Sequence, residues 1–305
     1  MSKTHWNRRD VLAATTALTL LPLTGVAQQA SMTRRRIPSS DRETLPVIGL
    51  GTYEVFDVDG SSDEIATRRE IVDTLVDAGG SIIDTSPMYN RSERIIGEIV
   101  KAGAPRGKLF LATKVWIDGR DAGIAQMRES AALMNTEVID LMQVHNLRDT
   151  ELHMPSIREF KEDGFIRYSG LTHYRADALS DLEAEMQFFK PDFIQINYSL
   201  AEHEADDHIL PLAADLGIGV IVNRPFGSGS LFRAVRGQEL PAWGTEFAES
   251  WGQFFLKFIV GHPAVTCAIP ATSKVEHMRD NVQSGFGALP DARTRRRMIE
   301  FVQNL

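Results

Sequence analysis

Asp84, Tyr89, Lys114 and His145 offer a carboxylate, a phenol, an ammonium and an imidazole within one stretch of chain. Three of them close an apolar run. Asp84 ends the run beginning at Gly80, Lys114 the run beginning at Lys108, and His145 the run beginning at Ile139. Tyr89 stands five residues beyond Asp84, on the loop leaving that run. If the runs are neighbouring strands that end on one face, the four side chains surround a single small volume. That set suits proton transfer to a carbonyl oxygen. Alone, each residue has a plainer reading: a packed Tyr, a structural His, a solvated Lys or Asp at a strand end. Their order and spacing together carry the chemistry.

The elements needed to position them recur along the chain. Strand-like runs fall at 46–52, 81–84, 109–114, 139–145, 166–172, 193–197, 219–222 and 264–270. Helical patterns lie between them at about 62–78, 91–101, 121–136, 155–163, 176–189, 202–216 and 246–261, with an eighth at about 273–284. A further segment near 291–303 reads as a surface helix closing the chain. Eight strand–helix units predict a parallel sheet, and eight strands close a (β/α)8 barrel whose strand tips form the reactive face. An open doubly wound sheet is the alternative. It wants a glycine-rich turn after its first strand, and Glu54 stands where the third glycine of that fingerprint belongs. No second domain boundary and no internal repeat is apparent, so residues 45–305 read as one barrel.

The chain has 305 residues, 43% hydrophobic, with a formal net charge of −8. Such acidity argues against nucleic acid or anionic membrane as the main partner. The N-terminus differs. Arg8-Arg9 precedes an uncharged stretch from Val11 to Thr24 that is too short and too Thr-rich to span a membrane. Small residues at Gly25 and Ala27 follow. Residues 1–27 therefore read as a twin-arginine export signal, with the twin-arginine machinery as a partner and a periplasmic location. A chance Arg-Arg before an apolar segment would leave the protein cytoplasmic. Residues 28–44 read as a flexible linker. The single cysteine, Cys267, permits no intramolecular disulfide, and its apolar run suggests a buried, inert thiol. No metal-binding set is apparent.

Across residues 45–282 the chain resembles an aldo-keto reductase. The motifs that carry the resemblance follow one another in order: Gly49-Leu50-Gly51-Thr52, Asp84 to Tyr89, Ala112-Thr113-Lys114, Asp140 to His145, Tyr168 to Thr172, Gln195 to Tyr198, Pro225 to Ser228, and Ile269 to Thr272 leading to Asp280-Asn281. The resemblance implies that a nicotinamide dinucleotide gives hydride while Tyr89 protonates the carbonyl. Lys114 would favour the Tyr89 phenolate and lower the phenol pKa, Asp84 would hold Lys114, and His145 would orient the carbonyl.

The resemblance also implies a cofactor extended across the barrel mouth. Gln195 would meet the carboxamide, together with Thr172 and His173, where relatives offer Ser-Asn. Gly51, Thr52 and Tyr53 would line the mouth. Phe226, Gly227, Ser228 and Gly229 would meet the diphosphate. Relatives commonly stack an aromatic ring on the nicotinamide where Asn223 and Arg224 stand here. Arg224 would then either reach phosphate or close a rim salt bridge. Thr272, Ser273, Lys274 and His277 are candidates for the 2′-phosphate, and Asp280 and Asn281 for adenine. Their makeup favours NADP(H), with NAD(H) as the alternative.

Two functions follow from the resemblance. One is an exported reductase of aldehydes or ketones, or the reverse dehydrogenase. The other is a nucleotide-binding regulatory subunit on the same fold with little turnover. Tyr53, Phe56, Trp116, Leu147 and Trp243 are pocket candidates or ordinary packing, and monomer is the default state. The short stretch after Asn281 suggests an open pocket.

Overall fold

Side chains in a strand alternate between its two faces, and this alternation builds the molecule. A computed structural model describes Met1, residues 31–104 and residues 106–305. The signal expected at residues 1–27 lies outside the described residues, apart from Met1. The described chain opens with an antiparallel hairpin of β1 (Arg34–Arg36) and β2 (Thr44–Pro46). The barrel strands follow as β3 (Leu50–Gly51), β4 (Ile82–Asp84), β5 (Phe110–Val115), β6 (Ile139–His145), β7 (Ile166–His173), β8 (Phe193–Asn197), β9 (Gly219–Asn223) and β10 (Val265–Ala268). Each pairs in parallel with its sequence neighbour, and bridges from Ile48 to Ala268 and from Gly51 to Ala271 close the ring. The eight-stranded barrel expected from the strand–helix alternation is therefore the fold.

Ten helices wrap the described barrel: α1 (Ser62–Asp77), α2 (Ser92–Lys101), α3 (Arg120–Leu133), α4 (Thr150–Glu162), α5 (Leu179–Phe189), α6 (Ile209–Leu216), α7 (Ser230–Ala234), α8 (Trp251–Val260), α9 (Val275–Gln283) and α10 (Ala292–Gln303). Capping sets several of their ends. Ser61 and Glu64 form a reciprocal capping box at the start of α1. Ser250 caps α8, so this helix starts five residues later than its periodicity predicts. Helix α7 follows the turn at 227–229 and had no separate signal. Helix α10 closes the chain as expected, yet it is not wholly a surface element. Its Arg295 is buried, donating to Tyr198 Oη at 2.5 Å and to Phe258 O at 3.2 Å.

The barrel interior runs from apolar to polar along β4 to β9. Ile82, Phe110, Ala112, Leu141, Tyr168, Phe193, Ile221 and Cys267 form an interior cluster. Continuing the period of two along the same face reaches Asp84, Lys114, Gln143, His145, Thr172, Gln195 and Asn223. The opposite faces, including Ile83, Leu111, Val144, Leu171, Ile194 and Val222, pack in the larger core under the helices.

The segment expected to be a flexible linker behaves differently from Met32 onward: Met32 is buried in the core and Thr33 N donates to the Gly285 carbonyl at 2.7 Å. Ile37 and Leu45 are buried within the interior cluster. Arg35 donates to the carbonyls of Val260 at 2.5 Å and Val265 at 2.7 Å, and also to that of His262. The Arg-rich run that suggested a solvated tether is a hairpin docked on the barrel, its central arginine satisfying carbonyls at the end of α8.

Candidate active site

The four residues singled out by type and spacing meet at the ends of β4, β5 and β6. Lys114 is fully buried, a costly place for an ammonium unless it is paired. Its Nζ donates to Asp84 Oδ2 at 2.7 Å and to the Thr85 carbonyl at 2.7 Å, and it lies 4.9 Å from the centroid of the Tyr89 ring. Burial depresses the ammonium pKa, but Asp84 and Tyr89 outweigh that effect, and the net shift is upward. Tyr89 reaches this point from a single 3-10 turn, Pro87–Tyr89, whose entry Ser86 caps.

Asp84 has a second set of partners that sequence spacing did not single out. Its Oδ1 accepts from Gln143 Nε2 at 3.0 Å and from Gln195 Nε2 at 2.7 Å. Gln143 lies two residues before His145 on β6, so strand periodicity could have placed it on the same inward face. Gly170 leaves room for it, because a Cβ there would lie 2.8 Å from Gln143 Cγ.

The phenol of Tyr89 departs from the sequence expectation. Its pKa is raised, chiefly by burial, which outweighs the lowering by the Lys114 ammonium. The phenol therefore stays protonated at neutral pH. His145 is also perturbed. Burial first, then the charges of Lys114 and His173, push its imidazole down to about 2. Its Nδ1 lies 3.0 Å from Ser86 Oγ, a partner not foreseen, and its ring stands edge-on to Tyr89 at 6.0 Å.

The expected cofactor residues fall into three groups. At the mouth, Thr52 Oγ1 donates to the Asp84 carbonyl at 2.9 Å beside Gly51, and Tyr53 projects outward, half exposed, at 5.1 Å edge-on to Tyr89. Gln195 is engaged on all sides within the protein. It donates to Asp84 and to Gln143 Oε1, and its Oε1 accepts from Thr172 Oγ1 at 3.4 Å and Asn223 Nδ2 at 3.3 Å. Asn223 Oδ1 is buried and has no partner. His173 stacks on Tyr174 with ring centroids 5.7 Å apart.

The second group follows β9. Gly227, Ser228 and Gly229 form a turn of three left-handed residues, and Phe226 packs against Phe232. Arg224 donates to Ser228 Oγ at 3.0 and 3.2 Å and to the Tyr174 carbonyl at 3.3 Å. Among the described residues it forms no ion pair, so the rim salt bridge is not the arrangement present.

The third group follows β10. Ser273, Lys274 and His277 are exposed around the start of α9, while Thr272 is buried and its Oγ1 accepts from Lys274 N at 3.1 Å. Asn281 is buried on α9. Asp280 is taken up structurally: it accepts from Ser250 Oγ at 2.6 Å and Gln253 Nε2 at 2.7 Å, binding α9 to the start of α8.

Of the pocket candidates, Trp116 lies 6.4 Å from the His145 ring and Leu147 is half-buried on the loop after β6. Phe56 is fully buried in the core. Trp243 packs among Phe254, Phe301 and the Arg297 guanidinium, where α8 and α10 meet. Both are packing residues, because their faces are already covered by other side chains.

The fold is a (β/α)8 barrel with a buried lysine–carboxylate pair beside a phenol at its mouth, and comparison with known proteins places it more closely. The aldo/keto reductase family matches residues 47–296, and the chain belongs to that family. It is similar to an aldo-keto reductase of Mycolicibacterium vanbaalenii, 29% identical over 198 residues, covering 63% of this chain and 67% of that protein. It is 25% identical over 294 residues to the uncharacterized oxidoreductase YqkF of Bacillus subtilis, covering 83% of this chain and 91% of that one. Among solved structures, the holo form of aldo-keto reductase AKR11C1 from Bacillus halodurans superposes with a TM-score of 0.71 at 22% identity, covering 89% of this chain and 96% of that one. An aldo-keto reductase from Klebsiella pneumoniae in complex with NADPH superposes at 0.72 and 20% identity, with the same coverage. At these identities the two structures speak for the fold.

Proposed function

We propose that this protein is an NADP(H)-dependent reductase of aldehydes or ketones. One observation carries the reading: a fully buried lysine, neutralised by a carboxylate, stands beside a protonated phenol at the barrel mouth. The Klebsiella relative bound to NADPH supports the choice of cofactor. So does the donor set. Asn223 Oδ1, one of the buried acceptors without a partner among the described residues, is available to a carboxamide, and the Arg224 guanidinium, in no ion pair among those residues, suits a phosphate. Lys274, Ser273 and His277 would serve the 2′-phosphate.

When bound, NADPH supplies the hydride. The residues of this chain supply everything else. The carbonyl oxygen sits between Tyr89 Oη and His145. The neutral imidazole receives the Ser86 hydroxyl at Nδ1 and donates from Nε2 to that oxygen. As the carbonyl carbon gains hydride, the Tyr89 O–H bond breaks and its proton goes to the oxygen, giving the alcohol. Lys114 stabilises the phenolate left behind, and Asp84 keeps Lys114 charged. Because burial raises the phenol pKa, reduction is favoured at neutral pH, and the reverse oxidation, which needs phenolate, gains as pH rises.

The test follows NADPH consumption with a panel of aldehydes. Tyr89→Phe should lower turnover by about 10²- to 10⁴-fold while NADPH binding is kept. Wild-type turnover in that variant would remove Tyr89 from the acid role. NADPH binding without turnover by the wild type would favour the regulatory reading. Export by a twin-arginine leader at residues 1–27 is proposed on the Arg8-Arg9 pair. Cell fractionation of the Arg8→Lys, Arg9→Lys double variant tests it: retention in the cytoplasm supports export by this route, and unchanged distribution refutes it.

A further inference from the structure

The loop between β6 and α4 begins one residue after His145 and has an unusual backbone. Asn146 (φ 55°), Leu147 (φ 55°) and Asp149 (φ 50°) all occupy the left-handed region. Asparagine and aspartate tolerate that region, but a leucine there is sterically disfavoured and persists only where its surroundings hold it.

The loop after β5 provides those surroundings. Gly119 N donates to Asp149 Oδ2 at 2.8 Å. Arg148 forms a two-bond fork with Asp118, Nε to Oδ1 at 2.6 Å and Nη2 to Oδ2 at 2.5 Å. The same guanidinium lies 5.1 Å from the Trp116 ring centroid, and the Trp116 backbone N–H is fixed to Gln126 Oε1 at 2.6 Å.

These contacts give Arg148 a geometric task. An ion pair this exposed contributes little by attraction alone, with side-chain exposures of 35% and 70%. A planar guanidinium locked by a fork and laid against an indole instead fixes where the indole stands. Trp116 lies 6.4 Å from the His145 ring, and Tyr53 packs against Tyr89 at 5.1 Å. Two flat aromatic groups therefore flank the proton donor and its histidine.

We propose that Arg148 is a specificity-determining positioning residue: by bracing Trp116 it keeps one flat wall of the pocket in place, so that carbonyl compounds bearing an aromatic ring are selected over short aliphatic ones. The proposal rests on the carbonyl-reductase reading given above.

Steady-state kinetics of the full-length chain with NADPH test it, using 4-nitrobenzaldehyde and propanal as the substrate pair. In Arg148→Ala the KM for 4-nitrobenzaldehyde should rise about fivefold with kcat nearly unchanged, while propanal kinetics and NADPH affinity stay within about twofold. Asp118→Asn, which weakens the fork and leaves the arginine, should move the same ratio in the same direction. Equal losses for both aldehydes, or no change in their ratio in either variant, would overturn the assignment. A wild type that binds NADPH but reduces neither aldehyde would instead overturn the reductase reading, and the proposal with it.

Discussion

Replacing Asp84 with asparagine changes one atom and removes one charge, and the geometry around it makes the cost calculable. Three N–H donors converge on the carboxylate. Gln143 and Gln195 reach Oδ1 at 3.0 and 2.7 Å, and Lys114 reaches Oδ2 at 2.7 Å. An asparagine offers one oxygen and one NH2 group. Turned either way, its own N–H faces another donor. The fully buried Lys114 ammonium also loses its ion-pair partner. Breaking a buried pair from one side costs about 3–5 kcal/mol.

The sign of the pH dependence sharpens this prediction. In the wild type the Lys114 pKa is raised, so its contribution is present below the unfolded value of about 10.4 and is lost as pH climbs through the folded one. In Asp84→Asn the buried lysine sheds its proton on folding. The unfolded chain then binds the extra proton, and stability rises with pH by about 1.4 kcal/mol per unit until about 10.4. The deficit of the variant should therefore shrink as pH rises. Urea unfolding followed by tryptophan fluorescence, from about pH 7 to about pH 9.5, measures both quantities. A deficit below about 1 kcal/mol at pH 7, or one that stays constant across the range, would refute the reasoning.

Two further outcomes bear on other parts of the site. His145 is held neutral to about 2 in the fold against about 6.5 unfolded, so its contribution is complete above the unfolded value and is lost as pH falls. The loss should reach about 2 kcal/mol between about pH 6.5 and about pH 5, and His145→Gln should flatten it; identical acid sensitivity in both proteins would assign the loss elsewhere. Lys274, exposed at the start of α9, should matter to NADPH alone. Lys274→Ala is expected to weaken NADPH by about tenfold and NADH hardly at all in fluorescence titrations, and equal losses would reject the 2′-phosphate assignment.

What the residue order determined was the part governed by local rules. Short apolar runs, each followed by a helical pattern, define the eight strand–helix units, and β6 and β8 match their predicted ends to the residue. A strand's length and pleat also decide which side chains share a face, so Asp84, Lys114 and His145 could be grouped before any coordinate existed. The same rule reaches Gln143, although nothing local marks it as a partner of Asp84.

The tertiary structure decided what depends on distance across the barrel. Only closure of the sheet brings Gln195 from β8 to Asp84 on β4, leaving Gln195 with inward partners on every side. Only burial, a property of the whole packed molecule, sets the direction of the Tyr89 shift against its neighbouring ammonium. The hairpin of Arg34–Pro46 was hidden for a similar reason. Its run of arginines looks solvated along the chain, and becomes structural where Arg35 meets carbonyls more than two hundred residues away. Trp243 and Phe56 show the converse: a sequence marks a large aromatic side chain, but which surface it covers is settled by the elements that fold against it.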